Sequence, residues 1–385
     1  MQKRQHDVIV VGAGPVGSYT AYLLAKEGLD VGICERNPVI GKDVNCTGIV
    51  SVECLRKFHL PGGTVVKTID SIRAIAPSGN YLRYQAAAPI AYVVNRRIFD
   101  DELNKKALRE GATTYLNTKV EAIHVSDRAF TVTGKAGEEK NEFSAMAGVI
   151  ATGFDLHSIQ GSGKRPANFL FGIQTDVKME SLSDVEVYFG EKIAPGSFGW
   201  VVPTNGTSAK VGLITKEKPA DLLKQFLRNP LLSERLLPSD NTTKCSPIPL
   251  RRIAKSYGER FVIVGEAAGQ VKSTTGGGIY FGLLCAEIAA ETIVRAIKSG
   301  DFSKMVFKGY ETRWRDKIEP ELKAGLMLRT LFSKLSDRQI DFLVDFARRD
   351  GVMPLLEKTH FDWHKDLITY LIRHLVTKIL FKKGQ

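Results

Sequence analysis

Apolar residues are spaced along this chain in three rhythms. Unbroken runs at 8–11, 31–34, 148–152 and 261–264 are short and end in small residues, which predicts strands buried on both faces. Alternating apolar and polar positions at 71–76, 81–85, 91–94 and through 168–215 predict strands with one covered and one open face. Helical spacing marks 18–28, carried by Ala21, Leu24 and Ala25, and 95–110, carried by Leu103, Ala107 and Leu108; Gly28 and Gly111 stop these helices. Further helix is expected over 221–234, after Gly278 to about residue 298, and over most of the chain from 302. Shorter signals add strands at 113–117 and 120–126, a hairpin through 130–133 with a polar turn to 143, and an extended connection over 247–252. Because the buried-strand rhythm is interrupted by the alternating one, the expected class is α/β. A Rossmann-type unit of 1–62, 95–165 and 250–300 is interleaved with an antiparallel sheet unit of 63–94 and 166–249, and a helical C-terminal region occupies 301–385.

The first buried strand runs directly into Gly12, Gly14 and Gly17, spaced as GxGxxG. In a strand–turn–helix unit these glycines permit a tight turn, close approach of backbone N–H groups to a pyrophosphate, and close packing of the helix on the strand. A pyrophosphate is then favoured at the positive end of that helix. Glu35 closes the second strand about 20 positions beyond the glycines, where an acid can hold a ribose hydroxyl. Strand, glycines, helix, strand and acid in register predict a bound dinucleotide, FAD or NAD. Small residues recur at Gly153, at Gly265 and in Gly276-Gly277-Gly278 ahead of Ile279, and this second cluster can cradle the other half of a long cofactor. A glycine-headed helix N-terminus there also favours negative charge.

Composition narrows the partners. The chain has 385 residues, 43% of them hydrophobic, and a net charge of +12. It is long enough for two units and basic enough to attract polyanions. Nucleic acid is not expected, because no basic run is interleaved with aromatics. An anionic lipid surface, a phosphorylated substrate and a plain solvated basic face all fit the charge. The five cysteines are scattered without metal spacing, so no metal is expected, and their pattern suits a reducing cytoplasm. No stretch has the length of a membrane span. Over 366–383, Leu367, Leu371, Leu375 and Ile379 recur at four-residue steps among Arg373, Lys378, Lys382 and Lys383. That basic amphipathic pattern suits either a peripheral membrane contact or packing on the protein body.

Several motifs together resemble the geranylgeranyl reductase family of FAD-dependent oxidoreductases, within the para-hydroxybenzoate hydroxylase-like flavoprotein fold. They are GxGxxG with Glu35 and Arg36; Cys46 in the loop that follows; Val94-Asn95-Arg96-Arg97-Ile98-Phe99-Asp100, similar to VxRxxFD; Ala151-Thr152-Gly153; Gly265-Glu266-Ala267-Ala268-Gly269; and Thr275-Gly276-Gly277-Gly278-Ile279. Most specific is the stretch Pro195-Gly196-Ser197-Phe198-Gly199-Trp200-Val201-Val202-Pro203, similar to the family's PxxYxWxFP lipid-tunnel signature. Phe198 replaces the family's usual Tyr, Val202 its Phe and Glu266 its Asp. The first two remove a hydroxyl and aromatic bulk from the tunnel; the third displaces a carboxylate expected at the ribityl chain.

The resemblance implies FAD, a hydride delivered to a carbon–carbon double bond of an isoprenoid chain, and an apolar tunnel walled by Phe198, Trp200 and Pro203. It implies a place for Cys46 near the flavin as proton donor or as a group orienting one, and for Arg96 at the phosphate or ribose side. For Cys46 a small residue in a glycine turn, for Arg96 a surface ion pair, and for Phe198 and Trp200 ordinary core packing are the competing readings. No second dinucleotide cradle stands in the sequence, so electrons are expected from NAD(P)H, a ferredoxin or a small reductase. A flavin monooxygenase or a quinone-linked electron carrier would use the same fold.

Overall fold

A computed structural model describes residues 2–137, 139–158, 161, 168–240, 242–349 and 361–366. The basic amphipathic pattern noted at the C-terminus lies, from residue 367 onward, outside the described residues.

The unbroken apolar runs assemble into one sheet. Its order is β8 (Thr113–Tyr115), β2 (Val31–Cys34), β1 (Gln2–Val11), β11 (Glu139–Ile150), β10 (Phe130–Ala136) and β9 (Thr118–Val125), with β18 (Phe261–Ile263) on the other side of β11's end. Strands β8, β2, β1, β11 and β18 run parallel, while β10 and β9 return antiparallel. Val8, Ile9 and Val10 are completely buried, as expected of a strand covered on both faces. One cover is built from α1 (Pro15–Lys26), α3 (Arg96–Arg109) and α6 (Ile279–Ser299); Leu24, Leu103 and Leu283 belong to its core. Strand β11 begins nine residues earlier than the run at 148 suggested. Its first half alternates and pairs with β10, and only its end is apolar throughout.

The alternating stretches form a second sheet. Its order is β16 (Leu236–Leu237), β12 (Phe169–Met179), β15 (Ser208–Thr215), β14 (Gly199–Pro203), β13 (Val185–Tyr188), β5 (Ser71–Ile75) and β6 (Tyr81–Gln85), with β17 (Thr243–Pro249) also on β12. All its pairs are antiparallel except β13 with β5, which joins the early segment to the late one. Three expectations are corrected here. Strands β4 (Val65–Ile69) and β7 (Ala91–Val94) leave this sheet and pair with β3 (Ile49–Ser51) in a small sheet of their own. The connection at 247–252 is partly strand, since Pro247 and Pro249 lie opposite β12 as the end of β17. The helix expected over 221–234 is two, α4 (Pro219–Leu227) and α5 (Pro230–Ser233). Pro230 cannot donate to the preceding turn, and Asn229 caps the new helix.

After α2 (Val52–Lys57) on the small sheet, the remaining helices are α7 (Lys304–Phe332) and α8 (Asp337–Arg349). Helix α7 lies against α6, with Phe307, Tyr310, Trp314 and Ile318 in the core. It is bolted to the chain before β18: Trp314 Nε1 donates to Ser256 Oγ at 2.9 Å, and Ser256 N donates to Glu311 Oε2 at 2.6 Å. Further along, α7 reaches the loop that heads α6.

Candidate active site

The first glycine turn is built as its spacing requires. Gly12 has φ +102°, and a Cβ there would sit 2.5 Å from Ala151 O; a Cβ on Gly17 would sit 1.9 Å from Gly12 O. Gly14 is open, with nothing near its missing side chain and a place at the N-cap of α1, so its backbone faces free space at the helix's positive end. Glu35 is not idle in the protein alone: Oε2 accepts from Ala13 N and Oε1 from Asn37 N, both at 2.9 Å. Its carboxylate therefore ties the glycine turn to the end of β2, and each oxygen keeps a lone pair for a ribose hydroxyl. Arg36 is ion-paired with Asp155, in the turn that follows β11.

The ends of β11 and β18 bring Gly153, Gly265 and Glu266 together. A Cβ on Gly153 would lie 3.6 Å from Glu266 Oε2. Burial pushes the Glu266 carboxyl up to about 7, with Arg96 pulling it down and Asp155 pushing it further up. The turn carrying Glu266 is rigid, because Gly265 N donates to Gln270 Oε1 at 2.7 Å and Gln270 Nε2 donates to Tyr310 OH on α7 at 2.9 Å.

Arg96 pairs within its own helix. Its Nε and Nη2 donate to the two carboxylate oxygens of Asp100, each at 2.8 Å, in a pair whose side chains are 14% and 2% exposed. Burial acts against the Arg96 charge, but Asp100 and the Cys46 thiol beside it hold the guanidinium above its ordinary value. Arg96 thus belongs to a half-buried cluster with Asp100 and Cys46, close enough to Glu266 for its charge to be felt there, and not to a surface ion pair. Cys46 lies in a turn fastened to the second sheet: Asn45 Nδ2 donates to Gly172 O at 2.9 Å, and Thr47 Oγ1 donates to Gln174 Oε1 at 3.3 Å. Gly48 N donates to Cys46 Sγ at 3.4 Å. The loop between the two sheets therefore presents the thiol beside the Arg96–Asp100 pair.

The second glycine cluster heads α6. Gly276 has φ +74°, Gly278 is the N-cap without any side-chain capping bond, and Ile279 opens the helix. The free N–H groups of that end form a positive concavity. Lys272 holds the loop behind it: Lys272 N donates to Gly277 O at 3.0 Å and Gly276 N donates to Lys272 O at 2.9 Å. The Lys272 ammonium is paired with Asp362 at 2.7 Å, their side chains 7% and 4% exposed.

The signature stretch forms a loop followed by β14. Trp200 lies across Gly212 of β15, where a Cβ would meet its ring at 2.4 Å, and its Nε1 is buried without an acceptor. Phe198 and Trp200 have ring centroids 6.1 Å apart. Pro203 ends the strand and, like Val202, is buried. Ser197, one residue before Phe198, receives a hydrogen bond from Arg329 of α7 at 3.3 Å, and Arg329 also donates to the carbonyls of Ser273 and Thr274 in the α6 loop. Sequence reasoning missed Arg329, Lys272, Asp362 and Asp100 as members of the site. Only Asp100 carried a signal, as the acid at the end of VxRxxFD.

The residues fit FAD: two glycine-lined helix heads, a strand-end acid and the orphaned, buried Thr152 Oγ1 lie on one sheet edge. A family model described as FAD dependent oxidoreductase matches residues 7–59. The digeranylgeranylglycerophospholipid reductase of Methanocaldococcus jannaschii is 31% identical over 88% of this chain and 90% of its own length. The protein of the same description from Methanococcus aeolicus is 30% identical over 89% and 90%. The chain is a member of the geranylgeranyl reductase family. It is an FAD-dependent oxidoreductase, and FAD is its cofactor. The crystal structure of a geranylgeranyl bacteriochlorophyll reductase-like protein from Thermoplasma acidophilum has the same fold, with a TM-score of 0.83 at 23% identity over 90% of this chain and 92% of that one. A p-nitrophenol 4-monooxygenase from Pseudomonas putida shares the fold at a TM-score of 0.72 and 19% identity, covering 93% and 97%. Membership of this family supports the reductase reading above the monooxygenase and quinone-linked ones. Among the described residues, no helix is long and apolar enough to cross a membrane.

Proposed function

We propose that this protein saturates carbon–carbon double bonds of geranylgeranyl or related isoprenoid chains carried by a lipid or a prenyl diphosphate. The observation that carries the reading is the position of the Phe198–Trp200 wall: Arg329 bridges Ser197 to the loop heading α6, so an apolar wall adjoins the second cofactor cradle. The relatives named above as digeranylgeranylglycerophospholipid reductases point to the same substrate class.

Bound FAD, once reduced, supplies the hydride. An isolated alkene has no carbonyl to polarise, so the protein must hold the chain dry and supply a proton to the carbon that does not receive hydride. Phe198, Trp200 and Pro203 hold the chain. Cys46 is assigned as the proton donor or as the group that orients it, held by the Gly48 N–H and flanked by Arg96. Gly12, Gly14, Gly17, Glu35 and Arg36 hold the nucleotide half of the cofactor. Gly153, Gly265, Glu266 and residues 276–279 hold the flavin half. Arg96 acts on this half through its cluster with Asp100 and Cys46 and through its charge, felt at Glu266. In domain terms, 1–62, 95–165 and 250–300 serve the cofactor and 63–94 and 166–249 the substrate, while in the C-terminal region from 301 helix α7 braces both.

Electrons come from NAD(P)H, a ferredoxin or a small reductase, which single-turnover reduction by each would separate. The surplus of positive charge favours docking on an anionic membrane surface. Co-sedimentation with anionic vesicles that falls as salt rises supports this, and binding indifferent to lipid charge refutes it. The function itself is tested by anaerobic incubation of reduced protein with prenyl lipids and detection of added hydrogen.

A further inference from the structure

Arg329 is bonded to the loop that heads α6 through neutral acceptors. It projects from the last turns of α7 into the space between the α6 loop and the tunnel signature. Its Nε donates to Ser273 O, its Nη2 to Thr274 O at 2.8 Å and its Nη1 to Ser197 Oγ at 3.3 Å. All three acceptors are neutral, and Arg329 has no carboxylate partner among the described residues. Burial alone lowers its guanidinium to about 10.

The other charged groups around this loop have partners of their own. Lys272 is neutralised by Asp362. His364 contacts Thr274 Oγ1 at 3.4 Å and is driven to about 4 by burial, with Lys272 adding to the effect, so it is neutral. Glu321 accepts from His364 N at 2.5 Å and Lys365 N at 2.9 Å. Among the described side chains bonded to this loop, Arg329 therefore keeps a charge that no carboxylate pairs, beside a helix head that is itself positive and has no capping side chain. Burying an unpaired charge costs stability, and such a charge is kept where a ligand completes it. Two-electron, one-proton reduction turns neutral flavin into an anion, so negative charge arises at this cradle only when the cofactor is reduced.

We propose that Arg329 is a positioning residue for the reduced cofactor: it fixes the loop heading α6 and places there a positive charge that favours the reduced, anionic form of FAD over the oxidised form. This rests on the cofactor reading and not on the identity of the substrate. No bond to the protein forms or breaks; the two electrons come from the external donor and the proton from solvent.

The test is an anaerobic spectroelectrochemical titration of the FAD-loaded full chain as wild type, Arg329→Lys and Arg329→Gln, with Arg329→Met as a second neutral side chain. The neutral variants are expected to lose at least tenfold in preference for reduced over oxidised FAD, a potential about 30 mV lower for a two-electron couple. Arg329→Lys is expected to stay within threefold of wild type, a rescue that a purely structural role does not produce. An unchanged potential in the neutral variants overturns the proposal, as does a lysine variant shifted as far as the neutral ones. If neither neutral variant folds, Arg329 is structural and the proposal fails. Wild-type protein that takes up no FAD instead refutes the cofactor reading, and does so before any variant is titrated.

Discussion

Glu266 stands in the turn after β18, where the family has Asp. Its carboxyl is half-buried beside Gly153, and desolvation raises it from its ordinary value of 4.5 to about 7. A folded state that keeps a proton the unfolded chain releases loses stability as pH rises between those values and is level above them. The loss is about 3 kcal/mol for a shift of this size. Apoprotein should therefore melt lower at pH 8 than at pH 5, and Glu266→Gln should remove most of that difference; parallel melting profiles for the two proteins would contradict this origin. Cys46→Ala should lower turnover by about 10²–10⁴-fold, the range for loss of a positioned proton donor, while FAD absorbance is retained. Undiminished turnover would remove the thiol from the mechanism. The candidate positions were legible as residues because glycines and motif acids mark backbone demands. Their partners were not: Arg96 turns to Asp100, an acid four positions along the same helix. Arg329 lay hidden among the ordinary charges of a long helix.

Elements carry the next level of the account. Strand β14 lays Trp200 across Gly212 of β15, where a Cβ would meet both the ring and the backbone Ile173 O of β12. Trp200→Ala should raise KM for the prenyl chain about tenfold or more, with FAD affinity within about twofold of wild type. Equal losses in both would show that the substitution disturbs the fold and not the wall. Continuous apolar runs and the glycine turns made the parallel sheet legible, since each is a local demand of backbone and burial. The partition of β4 and β7 into a separate sheet was not, because alternation records which face is covered and not which strand lies alongside. The break between α4 and α5 was legible in Pro230 and was overridden by the apolar periodicity around it.

At the scale of the molecule, the loop from 36 to 48 and helix α7 both reach from the cofactor sheet to the second sheet. Asn45 and Thr47 bond to β12, and Arg329 bonds to Ser197. The thiol, the flavin cradle and the aromatic wall are thereby held by hydrogen bonds between the two halves of an interleaved chain. Distances of 127 residues along the sequence separate Asn45 from Gly172 and Thr47 from Gln174, beyond the reach of any local pattern. The central claim is that this arrangement reduces isoprenoid double bonds. Purified protein carrying FAD, reduced anaerobically with dithionite, should be incubated with a panel of geranylgeranyl diphosphate, unsaturated archaeal-type glycerol lipids and menaquinone, and the products weighed by mass spectrometry. The account predicts gains of two hydrogens per reduced bond on at least one prenyl substrate, with reoxidation of the flavin in step. Flavin that stays reduced beside every prenyl chain, but is discharged rapidly by oxygen in the presence of an aromatic substrate, would contradict it.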